Sequence, residues 1–254
     1  MRIALTNDDG ILAPGLLALK AALAPLGEAV AIAPDRPRSA CGHAVTLHKP
    51  LRVASVALPD GSQGFSCNGT PSDCVGLALS GHVGPRPDLV ISGINLGPNA
   101  GWDLTYSGTV AAAMEAAING LPSFAISVDA FEPVDFAPAA DFAAYLAGAI
   151  LARGLPRDTF LNVNVPAVPP GELRGVSITC QGRTAYDGVI ERRTDPRGRP
   201  YYWWTGDRSR QPADTGTDMA ALREHKISVT PMKLDLTEHA FVSGLGDWQL
   251  RWPR

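Results

Sequence analysis

The sequence is poor in several features that would mark a specialised class of protein. It has 4 cysteines in 254 residues, with no C-x-x-C pair and far from the density of a secreted disulfide scaffold. We therefore expect Cys41, Cys67, Cys74 and Cys180 to be reduced thiols that serve packing. Neither charge sign dominates, since 22 basic residues face 25 acidic ones. This balance disfavours a module that binds nucleic-acid polymers or a membrane surface.

Long apolar runs are absent as well. No run reaches the ~18 to 20 residues of a membrane span. The opening residues, MRIALTNDDG, place two carboxylates where a secretory signal peptide needs an apolar core. We therefore expect a soluble, cytoplasmic protein without a membrane partner. Hydrophobic residues still make up 45% of the chain and charged residues 19%, a composition that excludes a wholly disordered or fibrous protein.

Short apolar runs alternate with apolar helical segments through the first two thirds of the chain. The predicted strands cover residues 2–7, 28–33, 88–92, 122–128 and 159–165, and the predicted helices cover 14–26, about 107–119 and 136–153, with another starting at Thr70. Alternation of this kind is typical of βαβ units. It predicts a three-layer α/β fold built on a mostly parallel sheet.

The character of the sequence changes from about residue 172. Strand-like pieces are separated by turn signals such as Asp-Pro-Arg-Gly, and four aromatic residues are consecutive at 201–204. This pattern predicts a β-hairpin extension over about 172–231 that projects from the α/β body and serves oligomerisation. No internal repeat or low-complexity linker interrupts the chain, so residues 1–254 are predicted to form a single domain.

Polar loops follow the predicted strands at positions where open parallel sheets bind ligands. The first is Asn7-Asp8-Asp9-Gly10, directly after the first strand. Adjacent carboxylates repel each other, so a hard cation such as Mg²⁺ or Mn²⁺ would stabilise the pair. Because Asn, Asp and Gly also form turns, the same four residues are compatible with a plain turn.

Two further loops carry oxygen donors. Ser39 lies among Arg36, Arg38 and His43, a combination of a hydroxyl ligand with phosphate-binding guanidinium groups. Asn95 follows a buried strand, where its amide oxygen could bind a metal. A solvated polar loop and ordinary turn chemistry are the respective alternatives.

A helix is predicted to begin at Ser107-Gly108-Thr109. Hydroxyls and free N–H groups at a helix N-terminus form an anion site that the helix dipole reinforces, although a serine there can also be a simple N-cap. Oxygen ligands and an anion site on one edge of a sheet would together make a metal-dependent phosphoryl-transfer site.

Several motifs occur together and in a fixed order. They are N-D-D-G at 7–10, A-P-D-R at 33–36 with Ser39, G-T-P-S-D-C-V at 69–75, S-G-I-N-L-G-P-N at 92–99 and Y-S-G-T-V-A-A-A-M-E at 106–115, followed by D-P-R-G at 195–198 and I-S-V-T-P at 227–231. With these motifs nearly the whole chain resembles the stationary-phase survival protein SurE family.

The resemblance implies a metal-dependent phosphomonoesterase, a 5'-nucleotidase that acts on nucleoside 5'- and 3'-monophosphates and in some members on polyphosphate. It also implies one divalent metal ion (Mg or Mn) per subunit and Asp8 and Asp9 as catalytic residues. By motif, the metal ligands would be Asp8, Asp9, Ser39 and Asn95. The substrate-binding surround would be Asn7, Asn99, Ser107, Gly108 and Thr109, the last three as phosphate-binding groups.

The family also has a Rossmann-like body and a C-terminal β extension exchanged between subunits. The resemblance therefore implies self-association as a homodimer or homotetramer. No nucleic-acid polymer is expected as a partner.

Several alternatives stay open at the level of sequence. Water activated by the metal ion could attack the phosphorus, or Asp8 or Asp9 could attack directly to give an aspartyl-phosphate. His43 is the only candidate for a leaving-group acid. A non-catalytic nucleotide or phosphate sensor and an oligomeric interaction protein are the competing functions. A dinucleotide oxidoreductase is disfavoured because no G-x-G-x-x-G follows the first strand.

Overall fold

The computed structural model of the chain describes residues 1–132, 134–183, 189–205 and 213–252. The strands are β1 (Arg2–Thr6), β2 (Glu28–Pro34), β3 (Val53–Ala57), β4 (Gln63–Cys67), β5 (Leu89–Leu96), β6 (Ser123–Asp129), β7 (Thr159–Pro166), β8 (Val176–Ile178), β9 (Val189–Thr194), β10 (Pro200–Thr205) and β11 (Ile227–Lys233). The helices are α1 (Pro14–Leu23), α2 (Pro71–Leu79), α3 (Gly108–Ile118), α4 (Ala137–Arg153), α5 (Asp218–Arg223) and α6 (His239–Gly246).

Nine strands form one sheet in the order β3-β4-β2-β1-β5-β6-β7-β11-β8. The six neighbours from β4 to β7 run parallel, whereas β3 is antiparallel to β4 and β11 is antiparallel to β7. The predicted α/β class with a mostly parallel sheet is therefore confirmed. Since β1 lies between β2 and β5, the chain crosses from one side of β1 to the other, and a crevice opens beyond the carboxyl ends of β1 and β5.

Helices cover both faces of the sheet. Side chains alternate along a strand, so Ile3 and Leu5 of β1 pack in one cluster with α1 and α4, while Ala4 packs in another with α2 and α3. Burial on two faces explains why the strands are almost continuously apolar. The strands β5, β6 and β7 follow one another in the same direction across the sheet, but α3 and α4 lie on opposite faces of it. The β6–α4–β7 connection therefore has the opposite hand to the β5–α3–β6 connection.

The helix starts follow their sequence signals. Pro14 and Pro71 occupy the first turns of α1 and α2. Thr70 and Asp73 form a reciprocal capping box at α2, in which each side chain accepts a hydrogen bond from the other residue's backbone N–H. One strand differs from its prediction: β5 continues past Ser92 to Leu96, with a break in register between Ser92 and Asn95.

The region predicted as a β-rich arm divides in the structure. β8 and β11 belong to the main sheet, where Ile227 and Val229 are buried in the core, and α5 packs on β11. β9 and β10 form a separate antiparallel sheet on which Trp203 and Trp204 are exposed. The predicted limits of 172–231 were therefore too wide for a projecting arm, because β11 has a hydrogen-bonding partner in β7.

Several elements were not predicted, and α5 is one of them. β3 and β4 extend the sheet at one edge, and α6 near the C-terminus has no buried residue. None of the four cysteines forms a disulfide, and Cys67 and Cys74 are buried in the core. In the part of the chain that the structure describes, none of the helices has the length and apolar character needed to cross a lipid bilayer.

Candidate active site

The side chain of Asp8 lies against the start of α3. The Thr109 hydroxyl donates a hydrogen bond of 2.6 Å to Asp8 Oδ1. The backbone of Gly108 is so near that a Cβ there would lie 3.1 Å from Asp8 Oδ2. Asp8 and Thr109 are both buried. The first predicted loop and the predicted anion site are thus in direct contact.

The Asn7 side chain closes the turn that follows β1. Asn7 Oδ1 accepts a hydrogen bond from the Gly10 N–H at 3.0 Å, and Asn7 Nδ2 donates to the Gly10 carbonyl at 3.1 Å. Gly10 has φ +107°, which a residue with a Cβ rarely adopts. The segment is therefore a turn, and this turn fixes the direction in which Asp8 and Asp9 leave the strand.

The surroundings of Asp8 and Asp9 disfavour the charged form of both carboxyl groups. Burial raises the pKa of Asp8, although hydrogen bonding to Thr109 opposes the change. Burial, together with the charge of Asp8, raises the pKa of Asp9 to about 6, while a hydrogen bond from the Leu96 backbone lowers it. Within the described ranges, neither carboxylate forms an ion pair with a basic side chain. A bound cation would relieve this electrostatic cost.

Asn95 and Asn99, which follow each other closely in sequence, form different hydrogen bonds. Asn95 Nδ2 donates to the Gly97 carbonyl at 2.6 Å, an arrangement that leaves Oδ1 as the oxygen available to a ligand. Asn99 Nδ2 donates to Ser127 Oγ at 2.8 Å, and Asn99 is buried. The Leu96 backbone lowers the pKa of Asp9, so the end of β5 lies near the carboxylate pair.

The loop that carries Ser39 contacts the site through its backbone. The Arg38 N–H donates to the Asp8 carbonyl at 2.7 Å, and the Gly42 N–H donates to the Tyr106 carbonyl at 2.9 Å. Arg38, the residue before Ser39, therefore contacts Asp8 directly. Ser39 itself is exposed.

His43 points to the side of α3. Its Nε2 lies 2.7 Å from Glu115 Oε2, and Glu115 follows Gly108 by about two helical turns. The structure thus places His43 on the rim, where it ties the Ser39 loop to α3.

Ser107 is the N-cap of α3, because its Oγ accepts a hydrogen bond from the Val110 N–H at 3.1 Å. Ser107 therefore forms an N-cap hydrogen bond. It is compatible with an anion-binding role, since an accepting hydroxyl still has a proton to donate. Thr109, in contrast, already donates its proton to Asp8.

Sequence reasoning missed a buried polar network behind the crevice. Asn162 Nδ2 and Asn164 Nδ2 both donate to the Asn99 carbonyl, at 2.7 and 3.1 Å, and the Asn99 N–H donates to Asn164 Oδ1 at 2.8 Å. The Gly101 N–H donates to the buried carboxylate of Asp218 at 2.8 Å. The available signal was two asparagines at alternate positions of the otherwise apolar strand β7, which share one face.

The donor types fit a hard divalent cation. Two carboxylates, a hydroxyl and an amide oxygen are the ligands that Mg²⁺ and Mn²⁺ favour. The described residues contain no group of three or more His, Cys, Asp or Glu side chains placed to share an ion. A site here would therefore need Ser39 and Asn95 in addition to Asp8 and Asp9.

Known proteins resemble this chain over nearly its whole length. The family model described as Survival protein SurE matches residues 3–188. The chain is 48% identical over 255 residues to the 5'-nucleotidase SurE of Moorella thermoacetica, with 100% of this chain and 98% of that protein covered. It is 49% identical over 251 residues to the 5'-nucleotidase SurE of Geobacter sulfurreducens, with coverage of 98% and 94%. The crystal structure of the SurE protein from Aquifex aeolicus superimposes with a TM-score of 0.86 at 39% identity, covering 98% of this chain and all of that one. The chain therefore belongs to the SurE family of survival proteins.

Proposed function

We propose that the protein is a divalent-metal-dependent 5'-nucleotidase that hydrolyses nucleoside 5'-monophosphates to nucleosides and phosphate. The observation that carries the proposal is the pair of adjacent, partly desolvated carboxylates, Asp8 and Asp9, at the N-terminus of α3. The names of the relatives from Moorella thermoacetica and Geobacter sulfurreducens support it. Nucleoside 3'-monophosphates and short polyphosphate are the secondary substrates that we include.

One Mg²⁺ or Mn²⁺ ion per subunit would be held by oxygen atoms of Asp8, Asp9, Ser39 and Asn95. When bound, such an ion screens the charge of the phosphate and lowers the pKa of water. The donor chemistry, the orientation of the Asn95 amide and the missing countercharge at the carboxylates support this assignment.

The chain's own groups would divide the remaining tasks. Thr109 fixes the rotamer of Asp8 through its hydrogen bond to Oδ1. The Ser107 hydroxyl, at the positive end of α3, would donate to a phosphate oxygen. Attack by water and attack by a carboxylate to give an aspartyl-phosphate are both compatible with this arrangement. His43 would protonate the leaving group only after release from Glu115.

Self-association as a homodimer or homotetramer is part of the proposal. The β9–β10 hairpin exposes Tyr202, Trp203 and Trp204, and α6 exposes Phe241 and Val242. Apolar surface of this kind on projecting elements is typical of subunit contacts. Light scattering coupled to size exclusion would give the mass in solution, and a monomer at micromolar concentration would contradict this part.

The test of the activity is phosphate release from a panel of nucleoside 5'- and 3'-monophosphates and short polyphosphate. Each substrate is assayed with Mg²⁺, with Mn²⁺ and with excess chelator. We expect metal-dependent release that falls by at least about 100-fold in Asp9→Asn. Asp141→Asn, an exposed carboxylate on α4, is the matched control and should keep wild-type activity.

Two results would contradict the proposal. Phosphate release that is unaffected by chelator would show that the activity does not depend on a metal ion. A folded protein that binds Mn²⁺ and nucleotide but releases no phosphate from any substrate would instead support a non-catalytic sensor.

A further inference from the structure

A buried carboxylate outside the candidate site holds the segment that joins β5 to α3. Asp218, at the start of α5, has 0% of its surface exposed. Its Oδ2 accepts a hydrogen bond from the Gly101 N–H at 2.8 Å. Its Oδ1 accepts from the Gly182 N–H at 2.9 Å and from the Met219 N–H at 2.8 Å. One carboxylate therefore joins three backbone segments.

The same region makes two further contacts with this segment. Gln181 Nε2 donates to the Gly101 carbonyl at 3.0 Å. Ala100 packs in a small apolar cluster with Met219 and Leu222. The residues just after Asn99 are thus fixed to the C-terminal part of the chain by polar and apolar contacts together.

The segments that Asp218 joins also flank the β9–β10 hairpin in sequence. Gly182 lies shortly before Val189, where β9 begins, and Ala213 lies shortly after Thr205, where β10 ends. Ala213 packs on the same cluster as Ala100 and Met219. Gly182 and Ala213, one before and one after the hairpin in sequence, therefore both contact the residues around Gly101 and Asp218.

We propose that Asp218 is a positioning residue that couples the anchorage of the β9–β10 hairpin to the placement of Asn99 and Ser107 in the candidate active site. One oxygen of the carboxylate serves the hairpin side, at Gly182, and the other serves the site side, at Gly101. A shift of either segment leaves a buried N–H group without its acceptor, which is unfavourable. The positions of the two segments are therefore energetically coupled. The inference rests on the proposed function for its kinetic consequence.

Asp218→Asn tests the site side of this link. The asparagine oxygen can still accept from Gly182 and Met219, while its NH₂ group would face the Gly101 N–H, a donor against a donor. We expect faster amide hydrogen exchange in peptides covering 95–106 and a kcat for phosphate release about ten- to a hundred-fold lower, with KM changed far less.

Gly182→Ala tests the hairpin side. An added Cβ would lie 2.7 Å from Asp218 Oδ1 and would displace it without touching the crevice. We expect the same increase in exchange over 95–106 and a parallel fall in kcat. Ile150→Val, in the core at the distant end of α4, supplies a control for general loss of stability.

Exchange over 95–106 that matches the Ile150→Val control in both variants would overturn the proposal. The proposal is also overturned if the Gly182→Ala variant keeps full kcat although the segment around residue 182 is measurably displaced. If the wild type releases no phosphate, the proposed function fails, and the exchange measurement still decides the positioning role. If Asp218→Asn does not fold, Gly182→Ala alone decides it.

Discussion

The two loops that carry the proposed ligands Asn95 and Ser39 are held in different ways. The Asn95–Gly101 segment is bonded by the buried side chains of Asn162, Asn164 and Asp218. The Arg36–His43 loop is largely exposed and is held by two backbone hydrogen bonds, by the hydrogen bond from the Arg38 guanidinium to the Asn68 carbonyl, and by the rim pair of His43 with Glu115. The Asn95–Gly101 half of the site is therefore preorganised by buried contacts, whereas the Arg36–His43 half is held mainly by contacts near the protein surface.

The energetic consequence follows from burial. A buried donor or acceptor that loses its partner costs about 1–3 kcal/mol, whereas an exposed ion pair contributes about 0–1 kcal/mol. We therefore expect changes in the Asn95–Gly101 segment or its buried partners to alter both activity and stability. Changes on the Ser39 side should mainly alter ligand affinity.

The largest effect is expected from Gly108→Ala, at the junction of the two halves. The added Cβ would lie 2.7 Å from Cys41 Sγ and 3.0 Å from Asp8 Cβ, so either the Ser39 loop or Asp8 must move. Phosphate release should fall about 100-fold or more. Gly148→Ala, in α4 with nothing within 4 Å of the new Cβ, should keep activity and stabilise the fold by about 0.5–1 kcal/mol. Equal activity of the two variants would contradict the close approach at Gly108.

A smaller loss is expected from Thr109→Val, which removes a buried hydrogen bond. Valine keeps the shape but removes the donor to Asp8 Oδ1. We expect a fall in kcat of about ten-fold and an acidic limb of the pH–rate profile displaced to higher pH, because the pKa of Asp8 loses an interaction that lowers it. Thr109→Ser keeps the donor and should restore most of the activity. Identical profiles for Val and Ser would show that the hydroxyl does not act on Asp8.

Asp9→Asn tests whether the carboxylates destabilise the metal-free fold. The pKa of Asp9 is raised from 3.8 to about 6, first by burial and then by the charge of Asp8. As pH rises, the unfolded chain loses this proton before the folded chain does, so the free energy of unfolding falls between about pH 4 and pH 6 and stays level above. In chelator, Asp9→Asn should be more stable than wild type by ~1 kcal/mol at pH 7, allowing for partial solvent screening, and equal to it at pH 4. Urea unfolding at both pH values measures this, and a destabilised variant at pH 7 would be the contrary result.

The smallest effect is expected from His43→Gln on the exposed side. The pair with Glu115 is partly open to solvent, with side-chain exposures of 31% and 19%. Its loss should cost under ~1 kcal/mol and change kcat by less than about three-fold. A loss of about 100-fold together with the disappearance of the basic limb of the pH–rate profile would assign His43 to leaving-group protonation instead.

The sequence was sufficient for elements with strong local signals. Pro14, the Thr70–Asp73 capping box and Ser107 mark helix starts at the positions that the structure has. Strands β1, β2, β6 and β7 were recognised because burial on both faces makes most of their residues apolar. β3, an exposed edge strand, was missed.

The candidate ligands were named from the sequence and stay a prediction, whereas the hydrogen bonds around them were not predictable. Polar loops after buried strands pointed to Asp8, Asp9, Ser39 and Asn95, since parallel strands end at one edge. The roles of Asn162 and Asp218 were not predictable, because each bonds to a backbone group more than 60 residues away in the chain. A distant backbone partner leaves no trace in the local sequence.

What the sequence by itself determined about this protein is most of the strands and helices of its α/β body and the family to which it belongs. Each depends on interactions between neighbours in the chain or on a shared pattern of residues. Only the tertiary structure decided that Thr109 donates to Asp8, that His43 faces Glu115 and that Asp218 holds Gly101. The physical reason is that a buried polar group must find a partner wherever the packed chain supplies one.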